Sequence, residues 1–129
     1  MTFALCVAAM HQMRTKKYIR ANYLLQESEH ARKENNYYEY SNKIDSYELV
    51  AIDDFGLMDL HPDKCRDLFE IIESRDSRKA TLIISQVPVA KWYQLFGDNI
   101  YADACLNRMT SKAYWLEFPG RDRRVNQSN

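Results

Sequence analysis

Two short, largely apolar runs stand out against a mostly polar chain. They cover residues 49–52 and 80–84. Each run is too short for a helix and too uniform for a strand with one wet face, so both are predicted to be buried strands of a parallel sheet. The segment 63–75 between them carries apolar residues at helical spacing, and Pro62 suits the first turn of a helix. The pattern therefore predicts a right-handed βαβ unit.

The remaining segments are predicted by the same rules. Residues 2–13 are apolar almost throughout and favour a buried helix, whereas 18–23 alternate like a short strand near a sheet edge. The polar stretch 24–46 fits one or two helices with a break at Asn35 and Asn36. Three elements complete the chain: a helix through Trp92 and Phe96 that stops at Gly97, a helix over about 101–109 that ends near Arg108, and a last strand over 113–118.

Length and charge limit the possibilities. The 129 residues are enough for one domain with one core. Eighteen basic and eighteen acidic residues leave no net charge, so any DNA contact must come from a local patch. Three widely spaced cysteines without a C-x-x-C pair are typical of reduced thiols in a cytoplasmic protein. The early apolar run is too short to span a bilayer and lacks a preceding basic region, so neither a membrane segment nor a signal peptide is predicted.

The first buried run is followed directly by two carboxylates, Asp53 and Asp54, and then by Gly56. Ligands of open α/β sheets bind at the carboxyl ends of the strands. Burying a carboxylate pair is costly unless a cation or hydrogen bonds compensate, so the pair is a candidate Mg²⁺ or water-activating site. Taken alone, the pair also fits a cap for the next helix beside a solvated acid. Ser85 and Gln86 end the second run and would lie beside the acids if the two strands are neighbours.

Two weaker signals are a patch of basic and aromatic residues and a loop histidine. Lys33, Tyr37, Tyr38 and Lys43 combine basic and aromatic residues, which suits phosphate contacts and base stacking in DNA binding. Acidic residues dilute this patch, and a solvated helix face with tyrosines on the core explains the same pattern. His61 follows the acid pair in a loop, where an exposed histidine more often has no catalytic role. The chain contains no G-x-S-x-G, H-E-x-x-H or G-x-G-x-x-G motif.

Four blocks together carry a family resemblance. Residues 49–57 read LVAIDDFGL and resemble the Walker B segment of IstB/DnaC-type AAA+ ATPases. Three further blocks are similar to the same proteins in order and spacing: RDLFEIIE at 66–73, TLIISQVPV at 81–89 followed by Lys91 and Trp92, and ADACLNRM at 102–109. The resemblance extends from residue 2 to about 125. It implies an α/β fold: the parallel-sheet core of a P-loop NTPase with three α/β/α layers.

The resemblance also implies roles for single residues. Asp53 would hold the Mg²⁺ of ATP, directly or through water, and Asp54 would orient or deprotonate the attacking water. Gln86, or Ser85 beside it, would be the polar sensor of the γ-phosphate. Arg108 would be the arginine finger of a neighbouring subunit in a homo-oligomer. These proteins are transposition helpers or replicative helicase loaders, so the implied partners are DNA and a transposase or replicative helicase. The SQVPV and Lys91-Trp92 blocks favour transposition.

One departure from the family concerns the phosphates. No G-x-x-x-x-G-K-[ST] motif, whose amides and lysine hold the phosphates, occurs in the chain. Thr2 matches the Mg²⁺-binding threonine of that motif, and Met1 stands where its lysine would be. Residues 1–125 are therefore expected to form a partial AAA+ core without its first strand and P-loop, and 126–129 a frayed tail. We expect weak ATP binding and negligible ATP hydrolysis by this chain. An alternative function is therefore that of a non-enzymatic remnant that binds DNA or related subunits.

Overall fold

The computed structural model describes residues 11–57, 60–75, 79–97 and 101–117. These form four strands and five helices, which alternate as in an α/β domain. In chain order they are β1 (Lys16–Arg20), α1 (Ala21–Lys33), α2 (Tyr37–Asp45), β2 (Leu49–Phe55), α3 (Pro62–Ser74), β3 (Ala80–Ser85), α4 (Val89–Phe96), α5 (Ala102–Lys112) and β4 (Tyr114–Glu117). Among the described helices, none is long and apolar enough to cross a membrane.

The strands form one parallel sheet in the order β1-β2-β3-β4. Its two inner strands are β2, which is paired with β1 and β3, and β3, which is paired with β2 and β4. The two apolar runs are buried as predicted, with Val50, Ile52 and Ile83 fully inside. The predicted β-helix-β unit is confirmed, because β2, α3 and β3 follow one another and the two strands are parallel neighbours.

Alternation along the strands divides the sheet into two apolar faces. One face packs with residues of all five helices into a single core, in which Phe55 and Trp92 meet edge to face at a centroid distance of 4.9 Å. The other face carries a smaller cluster of Leu49, Ala51, Ala80 and Leu82, against which Met13, Ile84 and Leu116 pack. This arrangement follows from the strand order, because right-handed crossovers that always advance in one direction place their helices on the same face.

Several element boundaries differ from the prediction, among them the end of β2, which extends beyond residue 52 to Phe55. The predicted strand at 18–23 is wrong at both ends, because β1 covers Lys16–Arg20 and α1 begins at Ala21. Leu24, Leu25 and Ser28 are buried at helical spacing, which draws the start of α1 into the core. The predicted break at Asn35–Asn36 is confirmed, and Asn35 has a φ of 58°. The helix predicted to end near Arg108 continues to Lys112.

Other predictions fall partly or wholly outside the described residues. The helix predicted over 2–13 has only its last three residues within the described range, and the tail 126–129 has none. The last strand is described as Tyr114–Glu117, within the predicted 113–118. Cys65 and Cys105 are buried thiols, and burial raises the pKa of Cys105.

Candidate functional site

A β-bulge shapes the acid pair at the carboxyl end of β2. Ile52 pairs with Ile83, but the next recorded pair is Phe55 with Ser85, so β2 holds one residue more than β3 over this interval. Asp54 has a φ of 55°, in the left-handed region that aspartate tolerates better than most side chains. Bulges often re-aim side chains beside functional sites. Here the bulge returns Phe55 to the helix-side core and leaves Asp53 and Asp54 half-buried at the sheet edge.

Both acids are held by residues of β1. The Tyr18 hydroxyl donates a hydrogen bond to Oδ2 of Asp53, while Oδ1 of the same carboxylate accepts the Asp54 N–H at 2.7 Å. The hydrogen bond to Asp53 raises the pKa of Tyr18 to about 12. Arg20 Nε lies 3.4 Å from Oδ2 of Asp54. Parallel pairing explains this geometry, because Arg20 is the register partner of Asp53.

Ser85 and Gln86 lie on the other side of the acid pair, as predicted from the two neighbouring strands. The buried Ser85 hydroxyl donates to the Phe55 carbonyl at 2.6 Å and accepts the Val87 N–H at 2.9 Å. The hydroxyl thus ties the end of β3 to the end of β2. Gln86, the half-buried residue that follows, begins the turn leading to α4.

The two neighbouring carboxylates are ligands of the kind that bind Mg²⁺. The described residues contain no group of three or more histidine, cysteine or carboxylate side chains that could hold a metal. Mg²⁺ is usually bound by one or two carboxylates, with waters and substrate phosphates completing its octahedron. A carboxylate has about four lone-pair sites, so Asp53 retains acceptor capacity beyond its two hydrogen bonds. Asp53 and Asp54 can therefore serve as the protein part of such a site.

Arg108 lies on α5, where it is engaged within its own chain. Its Nε is 2.5 Å from Oε1 of Glu73 on α3, and Lys112 lies 3.5 Å from the same oxygen. The Arg108 guanidinium also stands 5.7 Å from the centre of the Phe69 ring. The hydrogen bond from Arg108 holds the pKa of Glu73 below its ordinary value. About a third of the Arg108 side-chain surface is exposed.

The four DNA-binding candidates differ in exposure and in their contacts. Tyr37 is half-buried, and its ring lies 3.7 Å beneath the guanidinium of Arg32, whereas Tyr38 is 77% exposed. Lys33 is exposed at the end of α1. Lys43 lines a groove of about 510 Å³ between α1 and α2 together with Glu27 and Glu39. The carboxylates of this groove reduce its local positive charge.

His61 and Thr2 complete the set of sequence candidates. His61 is exposed at the N-cap of α3, where its carbonyl accepts the Cys65 N–H at 2.9 Å. Thr2 lies outside the described residues. Sequence reasoning missed Tyr18 and Arg20. The available signal was that residues 18–23 were predicted to form a strand. If that strand is a parallel neighbour of the strand at 49–52, its carboxyl end lies at the same sheet edge as the acids.

Comparison with known proteins identifies the family of the chain. The family described as IstB-like ATP binding protein matches residues 1–129. Two proteins of Sinorhizobium fredii named as insertion sequence ATP-binding proteins are similar in sequence. The first, y4pL, is 36% identical over 75% of this chain and 40% of its own length, and y4uH is 37% identical over 83% and 43%. The chain thus spans less than half the length of these curated relatives.

Solved structures identify the fold. AMPPCP-bound DnaA from Aquifex aeolicus matches 97% of this chain and 38% of its own with a TM-score of 0.66 at 17% sequence identity. The replication initiator DnaA bound to AMPPCP and single-stranded DNA gives a TM-score of 0.63 at 16% identity, over 94% of this chain. At such low identity the likeness shows the fold alone. The parallel sheet with its helices is that of an AAA+ P-loop NTPase domain, as the resemblance implied. Of the two helical layers that it implied, the five helices of the described residues form one.

Proposed function

Because this chain belongs to the IstB-like ATP-binding protein family, we propose that it is part of an ATP-dependent helper of DNA transposition. The observation that carries the proposal is the acid pair Asp53 and Asp54 at the carboxyl end of the inner strand β2. Relatives named for insertion sequences favour a transposase as the protein partner over a replicative helicase. The likeness to the DnaA structures supports the fold and does not distinguish between these two partners.

Each residue of the edge has a role in the proposed site. Asp53 holds the Mg²⁺ of bound ATP, directly or through a water, and Thr2 is proposed as a second ligand. The ion supplies charge neutralisation of the phosphates when it is bound. Asp54 orients the attacking water and accepts its proton. Gln86 senses the γ-phosphate with its amide, since the Ser85 hydroxyl is used to join the ends of β2 and β3.

Arg108 is proposed to complete the site of a neighbouring copy in a homo-oligomer. A guanidinium supplied by another subunit stabilises the charge that develops during phosphoryl transfer. Within one chain Arg108 is paired with Glu73 in a partly exposed position. Assembly would therefore exchange this surface ion pair for the phosphates of the neighbour, at small cost because exposed pairs contribute little.

DNA binding is proposed for the assembled protein rather than for one strong surface of this chain. Tyr38, Lys33 and Lys43 are the exposed members of the candidate patch. Their contribution is expected to be modest, because the nearby Glu27 and Glu39 reduce the local positive charge.

A second function is favoured by one feature of the sequence. These 129 residues include the catalytic acids but contain no G-x-x-x-x-G-K-[ST] motif. The alternative is a non-enzymatic module that binds related subunits or DNA without ATP turnover. In either case we expect weak nucleotide binding by this chain alone and negligible hydrolysis.

Titration with a fluorescent ATP analogue, with and without Mg²⁺, tests the proposal. We expect weak binding that is strengthened by Mg²⁺, and the Mg²⁺-dependent part should disappear in Asp53→Ala. Asp63→Ala is the matched control, since Asp63 is an exposed acid in the first turn of α3. Nucleotide binding that is unchanged by Mg²⁺ and by Asp53→Ala would contradict the proposed site. A folded chain that binds no nucleotide would support the non-enzymatic module.

A further inference from the structure

The end of β1 places a phenol and a guanidinium on the two carboxylates of β2. Tyr18 and Arg20 are separated by one residue, so they point to the same face of the sheet. Asp53 is the register partner of Arg20, and Tyr18 reaches it diagonally. The two contacts therefore have the same origin in the parallel pairing, and they engage Asp53 and Asp54 separately.

We propose that Tyr18 is a positioning residue for the divalent cation site at Asp53. This inference rests on the proposed function, because it assumes that Asp53 is the cation ligand. Ligating carboxylates need hydrogen bonds from neighbouring groups that fix their orientation, and the loss of one such partner typically lowers metal affinity about 10- to 100-fold. Tyr18 is the side chain that supplies this hydrogen bond to Asp53.

Each carboxylate oxygen of Asp53 accepts one hydrogen bond, which explains why the Tyr18 hydroxyl affects the orientation of the carboxylate. Oδ1 is fixed by the backbone N–H of Asp54, which is itself fixed by the bulge. Oδ2 is fixed by Tyr18. With one donor on each oxygen, the plane of the carboxylate is determined, and its remaining lone pairs are directed in advance of cation binding. Without the hydroxyl, one anchor remains and the carboxylate can rotate about it, because this terminal torsion has a broad energy profile.

The position of Tyr18 separates this role from a structural one. Its side chain is 59% exposed, so its hydroxyl contributes little to the core. Removing the hydroxyl should therefore leave the fold intact while it releases one oxygen of Asp53. Arg20 acts on the other acid: it is an exposed ion-pair partner of Asp54, so it should affect the second carboxylate and leave the orientation of Asp53 unchanged.

The test is Mn²⁺ binding to the full 129-residue chain, measured by electron paramagnetic resonance of the unbound ion. Tyr18→Phe should weaken Mn²⁺ binding about tenfold, with an unchanged midpoint of urea unfolding. Tyr23→Phe is the matched control, because Tyr23 is a half-exposed tyrosine of α1. Asp53→Asn defines which part of the binding belongs to the site.

Each outcome bears on the inference. A tenfold loss in Tyr18→Phe, absent from Tyr23→Phe, would support it. Equal or tighter Asp53-dependent binding in Tyr18→Phe would overturn the positioning role while leaving the proposed function standing. Mn²⁺ binding that is unchanged in Asp53→Asn would overturn the cation site itself, and the role of Tyr18 with it.

Discussion

Phe55 pairs with Ser85 on the neighbouring strand although Ile52 pairs with Ile83, so the end of β2 contains one extra residue. The extra residue is accommodated by the left-handed backbone of Asp54. As a result Ile52 and Phe55 both contribute to the helix-side core, and the two acids lie between them at the sheet edge. The hydrogen bond from Ser85 to the Phe55 carbonyl fastens this geometry. The bulge thus connects the packing of the core with the exposure of the acids.

The backbone of Asp54 gives the first prediction. Asp54→Asn should change the free energy of unfolding by less than about 0.5 kcal/mol, because asparagine also tolerates a positive φ. Asp54→Val should lower the free energy of unfolding by roughly 1–2 kcal/mol more than Asp54→Asn does, since a β-branched side chain is strained at this positive φ. Both variants lose the ion pair with Arg20, so their difference isolates the backbone. Urea unfolding measures it, and equal stabilities would show that the bulge relaxes without cost.

Gly56 and Gly97 form a matched pair for the second prediction. Both have positive φ, 107° and 65°, but a Cβ at Gly56 would lie 2.6 Å from Cγ2 of Val87, whereas one at Gly97 meets nothing within 4 Å. Gly97→Ala should cost about 1–3 kcal/mol from backbone strain alone, because its ψ of −160° lies in a region open almost only to glycine. Gly56→Ala should cost more, because the close contact with Val87 adds to the strain. Thermal unfolding of the two variants compares them. A similar loss in both would mean that the turn after the acid pair moves away from Val87 easily.

A buried charge pair gives the third prediction. Asp67 is 2% exposed and its Oδ1 lies 2.6 Å from Arg32 Nε, which joins α3 to α1. Arg32→Met should destabilise the fold by about 2–3 kcal/mol, because it leaves a buried carboxylate without its main partner. The double variant with Asp67→Asn should recover part of this loss. Arg66→Met is the control, because Arg66 lies farther from the same oxygen, at 3.7 Å.

The pH dependence of that variant follows from the sign of the pKa shift. Burial raises the pKa of Asp67 against the opposing effect of Arg32. A raised carboxyl pKa favours the folded state at low pH, and this contribution is lost as the pH rises through the folded-state pKa. Without Arg32 the pKa should rise further. The stability deficit of Arg32→Met should therefore shrink as the pH falls below that pKa, and a deficit independent of pH would contradict the assignment.

Glu73 and Arg108 give the fourth prediction. The hydrogen bond from Arg108 lowers the pKa of Glu73, so the pair stabilises the fold above the ordinary pKa of glutamate and ceases to do so as the pH falls through the lowered value. Arg108→Gln should move the NMR titration midpoint of Glu73 upward. Lys112→Gln, which removes the weaker neighbour at 3.5 Å, should move it less. An unchanged midpoint in Arg108→Gln would mean that Arg108 is not held by Glu73 in solution.

The sequence predicted the parts of the fold that depend on local pattern. The apolar runs of β2 and β3 and the helix between them were assigned because uniform burial leaves a clear signal over four or five residues. The same reasoning placed Ser85 and Gln86 beside Asp53 and Asp54, since parallel neighbours end at the same edge. The family resemblance added the roles of these residues, which no periodicity could supply.

Features that depend on distant partners were not predictable in the same way. The left-handed Asp54 follows from its register against β3, and its own neighbours in sequence do not signal it. The burial of Asp67 depends on its pairing with Arg32, which lies 35 residues earlier in the chain. Tyr18 belongs to this group as well, because its contact with Asp53 requires β1 and β2 to be paired.

The central claim is that Asp53 binds a divalent cation at the carboxyl edge of the sheet, beside Asp54. The most direct measurement is the line broadening that Mn²⁺ causes in the ¹⁵N NMR spectrum of the chain. The amides of Arg20, Asp54 and Ser85 should broaden first, and Asp53→Asn should abolish this pattern. Broadening centred on other acids, such as Glu70 or Glu73, and unchanged in Asp53→Asn would contradict the account.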